Sequence, residues 1–487
     1  MSDYRTANEL ASALRAHTVS SVELVEDAIR RIEADDVAIN AVVVRDFENA
    51  LTAARAADAA IVRGEGGPLL GVPVTVKEAF DVAGLPTTWG LPSARDAIAQ
   101  EDAVVVTRLK RAGAVVLGKT NIPTMLADWQ CANPLYGETS NPWRGDLTPG
   151  GSSGGGAAAL AAGFVSLEYG SDLAASLRAP ASFCGVYAHK PTRCLVPSRG
   201  FAPPGVPRGP VAPAIDLSAL GPMARSAADL ELALAATAGP DSPDDLAWRL
   251  ALPPARWSTL KEYRVLVLDE HPAIPTSGVL RDAIEQRAQA LARAGCAVAR
   301  SSPLAPDLLE ISVLFVELLL SQFSADSGDE AFARAREEAA RLAPGADPLA
   351  AAGVRAWALS HRDWVRDDRR RLGVAIGWRQ LFESVDVVLC PAMPTNAFSR
   401  QSPEQHRGVL DVDGRSMPYD AQPLWAAVAT VTGQPATVVP LGLDAAGLPV
   451  GAQVIGPYLA DLTTLRFAQL MEQEFGGFVA PKTIGCP

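Results

Sequence analysis

Histidine and cysteine are scarce in this chain of 487 residues, which has five histidines and six cysteines. The cysteines are scattered without a C-x-x-C pair, and the histidines are equally dispersed. Structural zinc sites need ligands at short, regular spacings, so we expect no metal site. Isolated cysteines of this kind are typical of a reducing compartment, and we expect a cytoplasmic protein.

Long uncharged hydrophobic runs are also lacking. The most apolar long stretch, residues 308–323, contains Glu310 and Glu317. It is shorter than the roughly 20 uncharged residues that a membrane span needs, and it predicts a buried helix instead. The first residues have none of the basic, apolar and small-residue zones of a signal peptide, so we do not expect secretion.

Basic residues are in the minority, because 43 Lys and Arg stand against 55 Asp and Glu, a net charge of −12. This balance excludes a broad basic surface, so we expect neither a nucleic acid nor a membrane as partner. A small molecule is the remaining class of ligand. With 48% hydrophobic residues, the chain can bury a large core as one large α/β domain or as two lobes.

The periodicity of the apolar residues predicts helices near the N-terminus and then alternating strands and helices. Ser20-Ser21-Val22-Glu23 is a capping box that begins a helix, and a strand at residues 72–76 brings Lys77 to a strand end. Further helices are predicted at residues 48–61, 102–111, 154–163 and 226–238, with two long helical stretches between about 307 and 385. Further strands are predicted at residues 114–117, 164–169, 264–268 and 387–390. This alternation favours a mixed or parallel sheet.

The densest motif lies at residues 148–156, where five of the seven residues from 150 to 156 are glycine and a predicted helix follows. Backbone N–H groups there could bind an anion, whereas a flexible Gly/Ser linker is the alternative. Residues 150–154 match the G-x-S-x-G of α/β-hydrolases, but a loop precedes them where that motif needs a strand. Residues 258–261 match the S-x-x-K of serine β-lactamases without its companion motifs.

Seven motifs spread over nearly the whole chain together resemble the amidase signature family. They lie at residues 71–78, 118–121, 151–155, 170–178, 181–192, 221–226 and 447–453. The resemblance implies one domain over residues 1–487, folded as an α/β/α sandwich around a large mixed β-sheet. Within it we expect an N-terminal helical segment at 1–65, a core with the catalytic motifs at 66–240, and a C-terminal α/β portion at 241–487.

The resemblance also implies a Ser–cis-Ser–Lys triad without a metal or organic cofactor. It assigns the lysine to Lys77, the cis-peptide serine to Ser152 and the nucleophile to Ser176, which follows Ser152 by 24 residues. A serine needs a base that takes its proton, and no histidine is near either serine in sequence. Lowering a lysine pKa from about 10.4 to 7 corresponds to roughly 4–5 kcal/mol, which burial can supply. A surface lysine and a helix-capping serine are the alternatives.

By the same resemblance, an oxyanion hole is formed by the backbone N–H groups of Leu173, Ala174, Ala175 and Ser176. The expected supporting residues are Ser153, Asp172 and Arg178. Where the family has Gly-Gly before the nucleophile, this chain has Ala174-Ala175. If either position needs a positive φ, alanine costs on the order of 1 kcal/mol there.

A substrate pocket is expected near residues 129–132, which lie between two catalytic segments. The residues assigned to it are Trp129, Gln130, Cys131, Ala132 and Trp425. Trp89 and Trp143 are further candidates for an apolar wall, with an ordinary core position as the alternative for every tryptophan. Cys131 lacks a nearby histidine and is interpreted as a wall residue, not as a nucleophile.

These observations predict an amidase that hydrolyses a small-molecule carboxamide, or an ester or carbamate, through a serine acyl-enzyme. A homodimer is compatible with the sequence. Two alternatives stay open. One is the glutaminase subunit of a tRNA-dependent amidotransferase, and the other is a catalytically silent binding protein, which the Ala174-Ala175 pair suggests.

Overall fold

The computed structural model describes residues 4–206, 209, 215–401 and 408–482. These residues form fourteen α-helices: α1 (Ala7–Arg15), α2 (Ser21–Ile39), α3 (Phe47–Val62), α4 (Val104–Arg111), α5 (Gly154–Ala161), α6 (Arg178–Cys184), α7 (Ala227–Thr237), α8 (Gly278–Arg293), α9 (Leu308–Ser324), α10 (Asp329–Ala340), α11 (Pro348–Ala356), α12 (His361–Ser384), α13 (Leu424–Thr430) and α14 (Asp461–Phe475). The same residues form fifteen strands: β1 (Val42–Arg45), β2 (Pro73–Lys77), β3 (Val115–Thr120), β4 (Ala132–Asn133), β5 (Gly137–Glu138), β6 (Leu167–Asp172), β7 (Tyr187–Lys190), β8 (Ala219–Ala224), β9 (Arg264–Val267), β10 (Ala297–Ala299), β11 (Val387–Pro391), β12 (Val409–Val412), β13 (Arg415–Pro418), β14 (Ala436–Leu443) and β15 (Pro449–Ile455).

Eleven of these strands form one mixed sheet in the order β1-β3-β2-β6-β8-β7-β14-β15-β11-β9-β10. β2 lies between β3 and β6 and is parallel to both. The centre, from β6 through β8, β7, β14 and β15 to β11, is antiparallel. β11, β9 and β10 are parallel again. The prediction of a large mixed sheet in an α/β fold is confirmed.

Helices cover both faces of the sheet, since successive strand residues point to opposite faces. Val265 of β9 and Leu389 of β11 pack in a core with α1, α4, α7, α8 and α14. Their neighbours Leu266 and Val388 pack in another core with α9, α12 and α13. A third core, with α2, α3, α5 and α6, contains β1, β3 and β7 residues. The result is a three-layer α/β/α arrangement.

Most predicted elements are present, with shifted ends. The capping box is confirmed, because the Ser20 side chain accepts from the Glu23 N–H and Glu23 accepts from the Ser20 N–H. The strand predicted at 164–169 is instead β6, which reaches Asp172 because Ser171 and Asp172 continue the pairing with β8.

The prediction of two long helical stretches between 307 and 385 was wrong, because this region forms the four helices α9 to α12. Gly328 precedes α10 and Gly345, with a φ of +83°, precedes α11. Asp347 and Ser360 then cap the N-termini of α11 and α12 with their side chains. The buried helix predicted at 308–323 is α9. Among the described residues, no helix combines the length and apolarity that a bilayer span requires.

Candidate active site

Lys77 is the last residue of β2, as predicted, and its side chain is fully buried. Its Nζ donates hydrogen bonds to three serine hydroxyls: Ser152 Oγ at 2.7 Å, Ser153 Oγ at 3.0 Å and Ser171 Oγ at 3.0 Å. The structure therefore has a buried lysine and not the alternative surface lysine. An amine in contact with three hydroxyls is placed to exchange protons with them.

The protonation of Lys77 is set mainly by burial, which lowers its pKa to about 7. Cys131, Asp172 and Glu168 act in the opposite direction, because their negative charge favours the ammonium form. A lysine with a pKa near 7 is substantially neutral at neutral pH. It can then act as a base, which an ordinary surface lysine cannot do.

Glu168 on β6 is a second buried ionisable group, which the sequence analysis did not identify. It pairs in register with Thr75 of β2 and accepts hydrogen bonds from the hydroxyls of Thr75 and Thr120, the latter at 2.7 Å. Burial raises the pKa of Glu168 to about 7, and these hydrogen bonds and Lys77 oppose that shift. Gly156 leaves it room, because a Cβ there would lie 2.5 Å from Glu168 Cγ.

The glycine-rich motif forms an ordered loop that positions Ser152 and Ser153 in front of α5. The Gly151–Ser152 peptide bond is cis. Gly150 has a φ of +83°, and a Cβ there would lie 2.6 Å from Pro180 Cα, so only glycine fits this approach. The Ser153 N–H donates to the Ser176 carbonyl over 3.1 Å, which joins the loop to the segment that carries Ser176.

Ser176 lies between β6 and α6 and retains 7% exposure. It lines a cavity together with Ser152 and Ser171. Leu177 is the residue that caps α6, so Ser176 does not have the helix-capping position of the alternative interpretation. Among the described residues, no hydrogen bond joins Ser152 Oγ to Ser176 Oγ. The structure brings Lys77, Ser152 and Ser176 to one side of the same cavity.

Asp172 organises the backbone around Ser176. Its fully buried carboxylate accepts the N–H groups of Ala175 at 3.0 Å and Leu177 at 3.1 Å. It also forms a bidentate ion pair with Arg178, with both N···O distances at 2.9 Å. Burial alone would raise the pKa of Asp172, but the Arg178 charge and hydrogen bonds hold it below its usual value. The carboxylate therefore stays ionised and fixes the turn.

Arg178 connects this turn to the C-terminal part of the chain. Its guanidinium donates to the Ala426 carbonyl at 2.7 Å, Thr430 Oγ1 at 2.7 Å and Gln453 Oε1 at 2.9 Å. The side chain is fully buried, and these acceptors satisfy donors that Asp172 leaves unused.

The two alanines before Ser176 have different backbone conformations. Ala175 has a φ of +76°, in the left-handed region that favours glycine, whereas the φ of Ala174 is negative. The Ala175 side chain is fully buried in a cluster with Phe183, Met393 and Ala426. Trp129 Nε1 donates to the Ala174 carbonyl at 2.7 Å and so holds the same turn from outside.

Of the four N–H groups predicted to form an oxyanion hole, that of Ala175 is already donated to Asp172. Within the described part of the chain, no acceptor takes the N–H groups of Leu173, Ala174 or Ser176. These three remain as candidate donors.

The cavity beside Ser176 has a volume of about 840 Å³. Its apolar wall includes Trp89, which the sequence analysis named as a candidate, and Phe201, Met125 and Phe323, which it did not. The five residues predicted to contact substrate are not among those that line it. Ion clusters are not evident either: in the described ranges no three His, Cys, Asp or Glu side chains are placed to hold a metal.

The predicted pocket residues lie behind the turn or in the core. Cys131 is buried against Gly154, and Trp425 is fully buried with Nε1 donating to Thr276 Oγ1. Gln130 Oε1 accepts the N–H of Gln401 at 2.7 Å. Ala132 is exposed in the short strand β4. With Trp129 bonded to Ala174, this group supports the site from the side opposite the cavity.

Comparisons with known proteins agree with this arrangement. A family model described as Amidase matches residues 23–465. An indoleacetamide hydrolase of Bradyrhizobium diazoefficiens is 33% identical over 480 residues, which cover 97% of this chain and 86% of that protein. One of the subunits of the glutamyl-tRNA(Gln) amidotransferase of Nitrosococcus oceani is 31% identical over 490 residues, or 96% and 97% of the two chains.

One similar solved structure is described as a vestigial protein complex that reveals the evolutionary origins of an s-triazine catabolic enzyme. It is 28% identical with a TM-score of 0.80, covering 98% of this chain and all of that one. The likeness extends over most or all of the length in each of these comparisons.

Proposed function

This chain belongs to the amidase signature family and hydrolyses amides, and from that premise we propose that Ser176 is its nucleophile, Lys77 its base and Ser152 its proton relay. The observation that carries the proposal is the 2.7 Å hydrogen bond between buried Lys77 Nζ and Ser152 Oγ at the wall that Ser176 shares. Burial supplies what the base needs, since it favours the neutral amine.

The first half-reaction forms an acyl-enzyme. Ser176 Oγ attacks the amide carbon, its proton passes to Ser152, and the Ser152 proton passes to Lys77. As the tetrahedral intermediate collapses, the C–N bond breaks and the leaving nitrogen receives the proton back from Lys77 through Ser152. In the second half, water attacks the ester carbon, gives a proton along the same route, and Ser176 leaves with it.

Charge on the carbonyl oxygen develops in both halves and needs preorganised donors. We assign this role to the N–H groups of Leu173, Ala174 and Ser176. The Ala175 N–H has a different task, because it is held by Asp172. Asp172 and Arg178 thus act as positioning residues that hold the turn in shape.

A small-molecule amide in a stand-alone enzyme is the form of this activity that we favour, without a metal, nucleic acid or membrane partner. The amidotransferase relative, 31% identical, motivates a second candidate, which is the glutaminase component of such a complex. Size-exclusion chromatography with mass spectrometry of the protein purified from its own cells separates the two. A hetero-complex of fixed stoichiometry would support the second candidate, whereas a monomer or the homodimer would support the first.

A fluorophosphonate probe followed by peptide mapping tests the nucleophile. We expect the label on Ser176 in wild type and its loss in Ser176→Ala with an unchanged circular dichroism spectrum. Ser258→Ala is the matched control, because Ser258 belongs to the exposed S-x-x-K sequence and lies away from the cavity. A wild-type protein that is unlabelled and inert toward amides would instead support the silent-scaffold alternative.

A further inference from the structure

The cavity beside Ser176 is large for an amide. Its volume of about 840 Å³ lies in the upper part of the range of roughly 300–1,000 Å³ that holds drug-sized ligands. A substrate as small as acetamide would leave most of this space filled with water. Trp89 and Phe201 form part of the wall, with ring centroids 5.1 Å apart. Phe323 and Met125 also line the cavity, although 44% and 41% of these residues are exposed.

The wall around Phe201 is fixed by backbone contacts. The Asp81 N–H donates to the Gly200 carbonyl at 2.9 Å, and the Val104 N–H donates to the Arg199 carbonyl at 3.0 Å. Gly200 has a φ of +80°, and a Cβ there would lie 2.4 Å from Ala103 Cα. The apolar surface is therefore present before a substrate binds, which favours tight binding of a rigid apolar group.

The opposite side of Ser176 offers no comparable space. There the buried cluster of Ala175, Phe183, Met393 and Ala426 packs behind the turn. A substrate whose amide lies at Ser176 must consequently place its larger part in the cavity.

The charges around the cavity are mostly negative. Among the described residues that line it, four are carboxylates, namely Asp81, Glu101, Asp102 and Asp326, and one is a guanidinium, Arg199. Arg199 already forms an ion pair with Asp241, at 2.7 Å and 3.2 Å. A substrate carboxylate would therefore enter a negative field and find no uncommitted cation in the described lining.

We propose that the substrate is an amide with a bulky apolar body, aromatic or long-chain, that is neutral or positively charged, and that substrates with a carboxylate are rejected. This inference rests on the proposed function, because it places the scissile amide at Ser176. It deepens that function by naming the substrate class.

Three amides test the proposal: acetamide, phenylacetamide and 4-carboxyphenylacetamide. We expect kcat/KM for phenylacetamide to exceed that for acetamide by about a hundredfold, because a phenyl ring buries apolar area. We expect 4-carboxyphenylacetamide to be at least about tenfold poorer than phenylacetamide, because its charge is desolvated without a partner. Equal kcat/KM values, or a preference for the carboxylate, would overturn the proposal while Ser176 labelling left the proposed function standing. A wild type with neither labelling nor hydrolysis would remove both.

Two variants with matched controls assign the effect to the cavity. Phe323→Ala should lower kcat/KM for phenylacetamide several-fold and leave acetamide unchanged, whereas Phe332→Ala, on α10 outside the cavity, should change neither. The double variant Glu101→Gln/Asp326→Asn should raise kcat/KM for 4-carboxyphenylacetamide about threefold or more at low salt, and Glu338→Gln should not. No gain in the double variant would overturn the electrostatic part of the proposal.

Discussion

The backbone N–H of Ser153 donates a 3.1 Å hydrogen bond to the carbonyl of Ser176. The bond joins the glycine-rich loop to the turn of the proposed nucleophile, so the two serine-bearing segments are held at a fixed separation. Because a backbone group is the donor, side-chain substitutions at residue 153 leave this bond in place.

Ser152 and Ser153 can therefore be compared directly. Both hydroxyls accept from Lys77, at 2.7 Å and 3.0 Å, but only Ser152 has the relay role in the proposed mechanism. We expect Ser152→Ala to lower kcat by about 10²–10⁴-fold, the usual contribution of a positioned proton carrier, and Ser153→Ala to lower it less than about tenfold. Steady-state kinetics on one good amide measures both. Equal losses would contradict the assignment of the relay to Ser152.

The pH dependence of kcat/KM reports Lys77 in the free enzyme. Since burial lowers its pKa to about 7 and the neutral amine is the active form, the rate should rise through pH 7 and level off above it. Lys77→Ala should lose several orders of magnitude, and Lys77→Arg nearly as much, because arginine does not deprotonate in this range. Lys261→Arg, in the exposed S-x-x-K sequence, is the matched control. Near-normal rates in Lys77→Arg would rule out the base role.

Glu168 should make stability depend on pH in the range between about 4.5 and 7. Its pKa in the folded state is raised to about 7 from 4.5, so the folded state binds the proton more tightly than the unfolded chain. Its contribution is full below pH 4.5 and is lost as the pH rises through 7. Urea unfolding of wild type and Glu168→Gln should show a difference in the free energy of unfolding that changes by up to about 3 kcal/mol over this range. A constant difference would contradict the raised pKa.

Ala175 and Ala174 give a position-specific test of the departure from Gly-Gly. Both glycine substitutions remove a methyl group and loosen the unfolded chain, but only Ala175→Gly relieves a left-handed φ. We expect Ala175→Gly to be about 1 kcal/mol more stable than Ala174→Gly. Thermal unfolding of the two single variants provides the measurement, and kcat should survive in each because the N–H donors are retained. If Ala174→Gly were the more stable, the turn would have another conformation.

Local sequence patterns located much of the fold and part of the site. Lys77 was placed at a strand end by the apolar run before it, and the structure agrees. Ser171 and Glu168 were missed because their importance depends on β6 lying beside β2, a pairing between residues about 90 positions apart. The parallel pairing offers a signal, since the carboxyl ends of parallel strands meet at one edge and Ser171 lies near the end of β6 as Lys77 ends β2.

The predicted substrate residues illustrate the limit of sequence proximity. Residues 129–132 lie between catalytic segments in the chain, but Trp129 contacts the back of the Ser176 turn through Ala174. The cavity wall comes instead from separate segments, including Trp89, Phe201 and Phe323, which tertiary packing alone brings together. No periodicity within any one of these segments marks it as part of a pocket.

The contacts of Arg178 with Ala426, Thr430 and Gln453 have a consequence for synthesis of the chain. A nascent chain that has just emerged through residue 240 already contains Lys77, Ser152 and Ser176, but the anchors of the Ser176 turn are still some 200 residues from being made. Contacts so distant in sequence close slowly, because the loop entropy must be overcome first. Hydrolytic competence should therefore arise only after release from the ribosome, when the last strands enter the middle of the sheet.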